Sequence, residues 1–155
     1  LRQVLPSLDG GDGFSYSAPA LTTLERSSGE DEHRLAGSLG GGFNLTAQVQ
    51  RVEGPATSRS CYESISSTLQ TVLEQNRKAS IDMETVQVQE RDGLLRWDYD
   101  LLAKARPWKT LRMPQAWFFY GQNTECMILH LSEFPSGPRT QDLFSMVGES
   151  IVIGQ

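Results

Sequence analysis

Residues Gln115–Phe134, QAWFFYGQNTECMILHLSEF, constrain the fold of this chain more than any other stretch. Two apolar runs, Ala116–Tyr120 and Glu125–Leu131, flank Gly121-Gln122-Asn123-Thr124. Aromatic and branched side chains suit a pleated surface, and Gly with Asn supplies the backbone freedom of a tight reversal. The stretch therefore predicts a central β-hairpin. Its second strand sends Cys126, Ile128 and His130 to one face and Met127, Leu129 and Leu131 to the other. Both faces are apolar, so both need cover, and in a chain of this size helices are the available cover.

The chain supplies two amphipathic helices. From Ser60 to Asn76, the apolar positions Cys61, Ile65, Leu69, Val72 and Leu73 recur at spacings that form one stripe, with Thr57 or Ser58 placed to cap. Near the C-terminus, Leu143, Phe144, Val147 and Ile151 repeat at helical spacing behind a Thr140 cap. Gly148 weakens this second helix by about 1 kcal/mol relative to alanine.

The remaining segments read as strands and loops. Residues 1–12 read as a flexible lead-in, and residues 13–155 as a single domain. Gly13–Ala20 forms a short strand near an edge, since Pro19 cannot donate to a ladder, and Leu21–Leu24 starts a second extended piece. Glu25–Arg34, rich in charge and turn formers, reads as a solvated loop. Leu35–Gly42 is too glycine-rich for a helix and reads as a hinge or bulge. It is not a phosphate loop, because no helix opens directly after its glycines. Phe43–Val52 alternates cleanly and is a half-buried strand. Ser80–Gln89 is a strand kinked around Thr85. It turns at Arg91-Asp92-Gly93 into Leu94–Leu102, where Leu95, Trp97, Tyr99 and Leu101 alternate with charged residues.

This element order, with GFSYSAPA, NLTAQVQRV and ESISSTLQTVLEQ ahead of a meander and a terminal helix, resembles the PsbP/Mog-type fold. The resemblance covers about residues 13–153. It implies an α+β domain in which an antiparallel β-sheet is sandwiched between helices (α/β/α). Members of the PsbP-like family are mostly binding or accessory proteins, including bacterial exported proteins of unknown function, so the resemblance implies a non-enzymatic role. Function does not travel with fold alone.

Composition narrows the partners. The formal net charge is −5 and the sequence pI about 5.0, which repels a nucleic-acid backbone. No apolar run approaches the ~20 residues of a membrane span. The chain opens on Leu1, which fits a removed leader or a trimmed start, and an exported (periplasmic or extracellular) origin is the expectation. Asn44-Leu45-Thr46 matches a glycosylation acceptor, a pattern that recurs often by chance.

The chemistry-bearing residues form no catalytic set. His33 and His130 are the only histidines, whereas a zinc site needs about three or four ligands and neither cysteine stands in a Cys-x-x-Cys pair, so no metal is expected, and no cofactor either. Cys126 and His130 share a strand face but lie ~13 Å apart along it, too far for a nucleophile–base pair. Asp98 and Asp100 lie on a polar strand face beside Arg96 and need no catalytic role. Cys61 and Cys126, the only cysteines, both belong to the layer between the first helix and the hairpin. They form either a disulfide, closing a loop worth on the order of 4 kcal/mol, or two buried free thiols.

One segment departs from the charge of the whole. Ala103–Gln115, AKARPWKTLRMPQ, carries Lys104, Arg106, Lys109 and Arg112 and no acid, for +4, while the remaining residues hold ten bases against nineteen acids, for −9. Trp108 stands at its middle. Read as a long exposed connection, it has the composition of an interface anchor for a protein partner. The plainer reading is that Trp108 folds back over a sheet edge while the bases offset nearby acids. A small-molecule carrier with a pocket near Trp97, Tyr99 and Trp117, between sheet and helix, is the alternative function.

Overall fold

The computed structural model describes residues 1–40 and 42–154. Seven strands form one antiparallel sheet: β3 (Thr23–Ser28), β4 (Glu32–Leu39), β5 (Phe43–Arg51), β9 (Glu125–Glu133), β8 (Lys109–Gln122), β7 (Leu94–Arg106) and β6 (Ala79–Arg91), in that order across the sheet. Three further strands, β1 (Arg2–Leu5), β2 (Phe14–Ser17) and β10 (Val152–Ile153), form a small sheet of order β1-β2-β10. Helix α1 (Ser58–Gln75) links the β3–β5 meander to the β6–β9 meander, and α2 (Thr140–Glu149) follows β9.

The expected central hairpin is β8–β9, and β9 is the middle strand of the sheet. Both of its faces are covered, except where His130 borders an open cavity. Met127, Leu129 and Leu131 join Phe43, Leu45, Ala47 and Val49 of β5 in a core shared with α2 and the small sheet. Cys126 and Ile128 join Leu95, Trp97, Tyr99 and Phe119 in a second core. Over that core lies α1, which packs against β6, β7, β8 and β9. The fold is therefore α+β, an antiparallel sheet between helices. The even-numbered residues of β5 are left on an open polar face.

The first helix follows its sequence signals. Thr57 is the N-cap, accepts from the Ser60 N–H, and completes a capping box with the Ser60 hydroxyl. Only the start of its apolar stripe is deeply buried: Cys61 is covered, Ile65, Leu69 and Leu73 are half-buried, and Val72 is exposed. The kink expected at Thr85 is a register shift between Asp82 and Gln87. There the Thr85 hydroxyl donates to the Asp82 carbonyl and accepts from the Asp100 N–H.

Several segments differ from their sequence reading. The lead-in contains β1, whose Gln3 and Leu5 are buried and which pairs with β2 along its length. Glu25–Arg34 is largely the β3–β4 hairpin; every residue of β3 is exposed, so backbone pairing rather than apolar alternation makes it a strand. Leu35–Leu39 belongs to β4, and Gly40 and Gly42 stand in the turn to β5, with Gly41 outside the described residues. Thr140 is the first residue of α2 and not its cap. Arg139 holds that position without a side-chain hydrogen bond, while the Thr140 hydroxyl bonds Glu133 and the Gly137 N–H. The expected long connection at Ala103–Gln115 is strand on both sides of a two-residue turn at Pro107-Trp108.

Candidate interaction surface

The β7–β8 ribbon outruns its neighbours. Pairing of β6 with β7 ends at Ala79–Ala103, and pairing of β9 with β8 ends at Gln115–Ser132. Beyond these points, apart from a bond of the Lys104 N–H to the Lys78 carbonyl, two strands continue alone, with Lys104 opposite Thr110 and Arg106 opposite Lys109. The ribbon is an arm projecting from the end of the sheet. A register shift between Lys104 and Arg106 adds twist close to its tip.

Trp108 caps the arm and is 78% exposed. The plainer reading, an indole folded over the sheet edge, fails on that exposure. The Arg106 guanidinium lies 6.0 Å from the indole centroid, at the outer limit of a cation–π contact. Lys104, Arg106 and Lys109 are exposed and take part in no ion pair among the described residues. Burying Trp108 against a partner would remove apolar area from water, and the unpaired cations around it would meet opposite charge.

Arg112 has different work. One of its guanidinium nitrogens bonds Asp82 at 2.8 Å and Asp100 at 2.9 Å, tying β8 to β7 and β6 at the base of the arm. Those bonds hold the Asp82 carboxyl below its usual range and raise the Arg112 guanidinium. Of the five basic and aromatic residues singled out in the sequence, four lie toward the tip. Arg112 is the one whose charge is already matched.

The layer under α1 is filled. Trp97 and Tyr99 are 2% and 3% exposed, and Tyr62 of α1 meets both Trp97 and Phe119 edge-on. Burial lifts the Tyr99 phenol to about 12, and its oxygen accepts a 3.1 Å hydrogen bond from the Trp117 indole N–H. Cys61 and Cys126 form a disulfide across this layer, with Cα atoms 5.8 Å apart. Beside it, the Ser58 hydroxyl donates to the Gly93 carbonyl and accepts from the Gly121 N–H. The start of α1 is thus fastened to β9, to the turn before β7 and to the end of β8.

Of the three aromatic residues expected around a carrier pocket, Trp117 borders an open cavity on the α1 side of the sheet, and Tyr99 borders a groove near α2 lined also by Arg96, Asp98 and Ser145. The cavity at Trp117, about 220 Å³, lies on the sheet face beside α1 and is lined by Arg34, Thr46, Gln48, Trp117, Ile128 and His130. His130 stacks on Trp117, and its Nε2 lies 2.6 Å from Oε1 of Gln115. Burial drives the His130 pKa down to about 4, so the ring is neutral at physiological pH. A larger groove, about 770 Å³, runs between the end of α2 and β6–β8 and is lined by Leu94, Arg96, Phe118, Tyr120 and Ile151 among others. Arg96 is not free to bind there: it makes a bidentate bond to Asp98, a third bond to Ser145, and lies 5.3 Å over the Phe118 ring.

No helix among the described residues is long and apolar enough to cross a membrane. No family model matches the chain, and no curated protein matches it. Among solved structures it is similar to the solution structure of cyanobacterial PsbP (CyanoP) from Synechocystis sp. PCC 6803. The identity is 13% and the TM-score 0.47, over 98% of this chain and 92% of that one.

Proposed function

We propose that this is a non-enzymatic binding or accessory protein which docks an acidic protein surface through the tip of the β7–β8 arm. The observation that carries the reading is Trp108, largely exposed at the tip of a projecting ribbon and set among Lys104, Arg106 and Lys109, which have no ion pair among the described residues. Exposed tryptophan with arginine is the usual make-up of an interface anchor. A local excess of positive charge on a chain of net charge −5 favours a partner of opposite sign. The Cys61–Cys126 disulfide supports an exported, oxidising compartment, where such bonds persist.

The test compares capture of partners from the exported fraction of the source cells by the wild-type protein and by W108A and R106E/K109E variants. The arm is peripheral to both cores, so the variants are expected to melt with the wild-type protein. Loss of a captured protein by both variants, at unchanged melting temperature and with weaker capture in high salt, supports the reading. Equal capture by all three proteins removes it.

A further inference from the structure

The 220 Å³ cavity on the open face of the sheet has the composition of a ligand site that the arm does not involve. It is built from two adjacent rows of the sheet. Arg34, Gln48 and Ile128 stand in register across β4, β5 and β9, and Thr46, His130 and Trp117 stand in register across β5, β9 and β8. The two rows share one face because residues two apart on a strand point the same way. Strand pairing, not a flexible loop, therefore fixes the spacing of all six side chains.

The side chains of three of the four polar members are unengaged among the described residues. Arg34 makes no ion pair among the described residues, although Glu32 stands two residues away on the same strand and Glu25 nearby on β3. The side chains of Arg34, Thr46 and Gln48 take part in none of the protein's hydrogen bonds among the described residues, and His130 engages only through Nε2. Together they offer a guanidinium fork, a hydroxyl, an amide and one imidazole nitrogen around a concave space. Trp117 and Ile128 supply apolar wall.

We infer that this cavity binds a small organic monocarboxylate, with Arg34 as the charge partner and Thr46 and Gln48 as hydrogen-bonding neighbours. A guanidinium pairs a carboxylate through two parallel bonds, which a planar acid matches. A single cation in a chain of net negative charge balances one negative charge and not two, which disfavours phosphate. The volume admits only a small acid, whose hydrocarbon part lies against Trp117 and Ile128. Glu25 and Glu32 reduce the affinity without closing the site.

The test is a titration of the intact protein with sodium benzoate and, separately, with neutral benzamide, followed by ¹H–¹⁵N chemical shifts. Benzoate is expected to give saturable shifts at Arg34, Thr46, Gln48 and His130, with benzamide giving none. Arg34→Gln lies on the exposed face and leaves the core intact. It is expected to weaken benzoate about tenfold or more, the worth of a charge-assisted bond pair. Thr46→Val weakens it less, and W108A leaves it unchanged. Shifts that never saturate, equal binding of benzamide, or an R34Q protein that binds as the wild type each overturn the inference. A failed partner capture by the arm does not bear on it.

Discussion

The indole of Trp117 and the imidazole of His130 lie face to face, their centroids 3.7 Å apart and their planes 11° from parallel. Cross-strand pairing on β8 and β9 puts them there, and burial keeps the imidazole neutral down to about pH 4. An unfolded histidine titrates near 6.5, so between these values the unfolded chain binds the proton that the folded one refuses. The contribution is therefore complete above about pH 6.5 and is lost as pH falls towards 4, by at most on the order of 3 kcal/mol. Urea melts at a series of pH values should show this slope in the wild-type protein. His130→Gln, which keeps a hydrogen-bonding side chain and does not titrate, should flatten it between pH 4 and 6.5.

Gly148 sits in α2 where the ring of Phe118 occupies the place of a side chain. A Cβ there would come within 2.3 Å of a ring carbon. Helix propensity alone favours alanine at this position by about 1 kcal/mol. The contact reverses the sign, because Phe118 is buried and Arg96 lies over its ring. Gly148→Ala is expected to lose about 1–3 kcal/mol through overpacking. The smaller Phe118→Leu should recover part of that loss when combined with it. A melting temperature raised by G148A alone would show that the helix end moves off the sheet at little cost.

How much of this was legible in the sequence depends on how local each signal is. The strands β5 and β7 announce themselves because period-two alternation records which face meets a core, and β9 because its apolar run is covered on both faces. Cys61 and Cys126 were placed in one layer because a helix stripe and a strand face are both readable, although neither revealed that the thiols are joined. Strand β3 left no such trace. It buries no side chain, so its pairing with β4 is carried by backbone groups common to every residue. The arm leaves as faint a trace for a related reason. Pro107, Pro114 and the basic residues suggest a loop, yet a ribbon without a core on either face needs no alternation. Of the cavity at Arg34 only Trp117 is legible in the sequence, since its residues are separated by up to about a hundred positions and meet only through the register of four strands.

The disulfide closes a sequence separation of 65 residues that spans α1 and three strands. Constraining that loop in the unfolded chain is worth on the order of 4 kcal/mol. The paired substitution Cys61→Ala/Cys126→Ala should cost about that much, less whatever the two small apolar side chains retain by packing. Thiol titration of the denatured wild-type protein should find no reactive thiol before reduction and two after it. A reductant should lower the wild-type melting temperature and leave that of the double variant unchanged. An alanine pair as stable as the wild type would mean that packing of α1, not the crosslink, sets the stability of this layer.

Glu125 is a carboxylate with no exposed surface, set at the start of β9, and it fastens the N-terminal segment to the middle of the sheet. Its Oε1 accepts from the Ser7 hydroxyl at 2.5 Å and from the Gln122 amide at 2.9 Å, while Oε2 accepts from the Leu8 N–H at 2.9 Å. Every partner is a donor, so the site requires two acceptor oxygens. Glu125→Gln keeps the shape but turns one acceptor into a donor aimed at a donor. That change should cost about 1.5–3 kcal/mol, the range of hydrogen bonds to a charged group. The loss should also be directional. Residues 7–12 are held further by the Asp9 bonds to Arg51 and Thr124 and by the Gln122 bond to the Asp12 carbonyl. Release should therefore begin at Leu8 and pass back to β1, whose outer edge has no strand beside it among the described residues. Amide exchange in E125Q should rise first at Leu8 and at residues 2–5, with β5 and β9 protected as before. Uniform acceleration over the whole chain would instead mean that the segment and the sheet unfold as one unit.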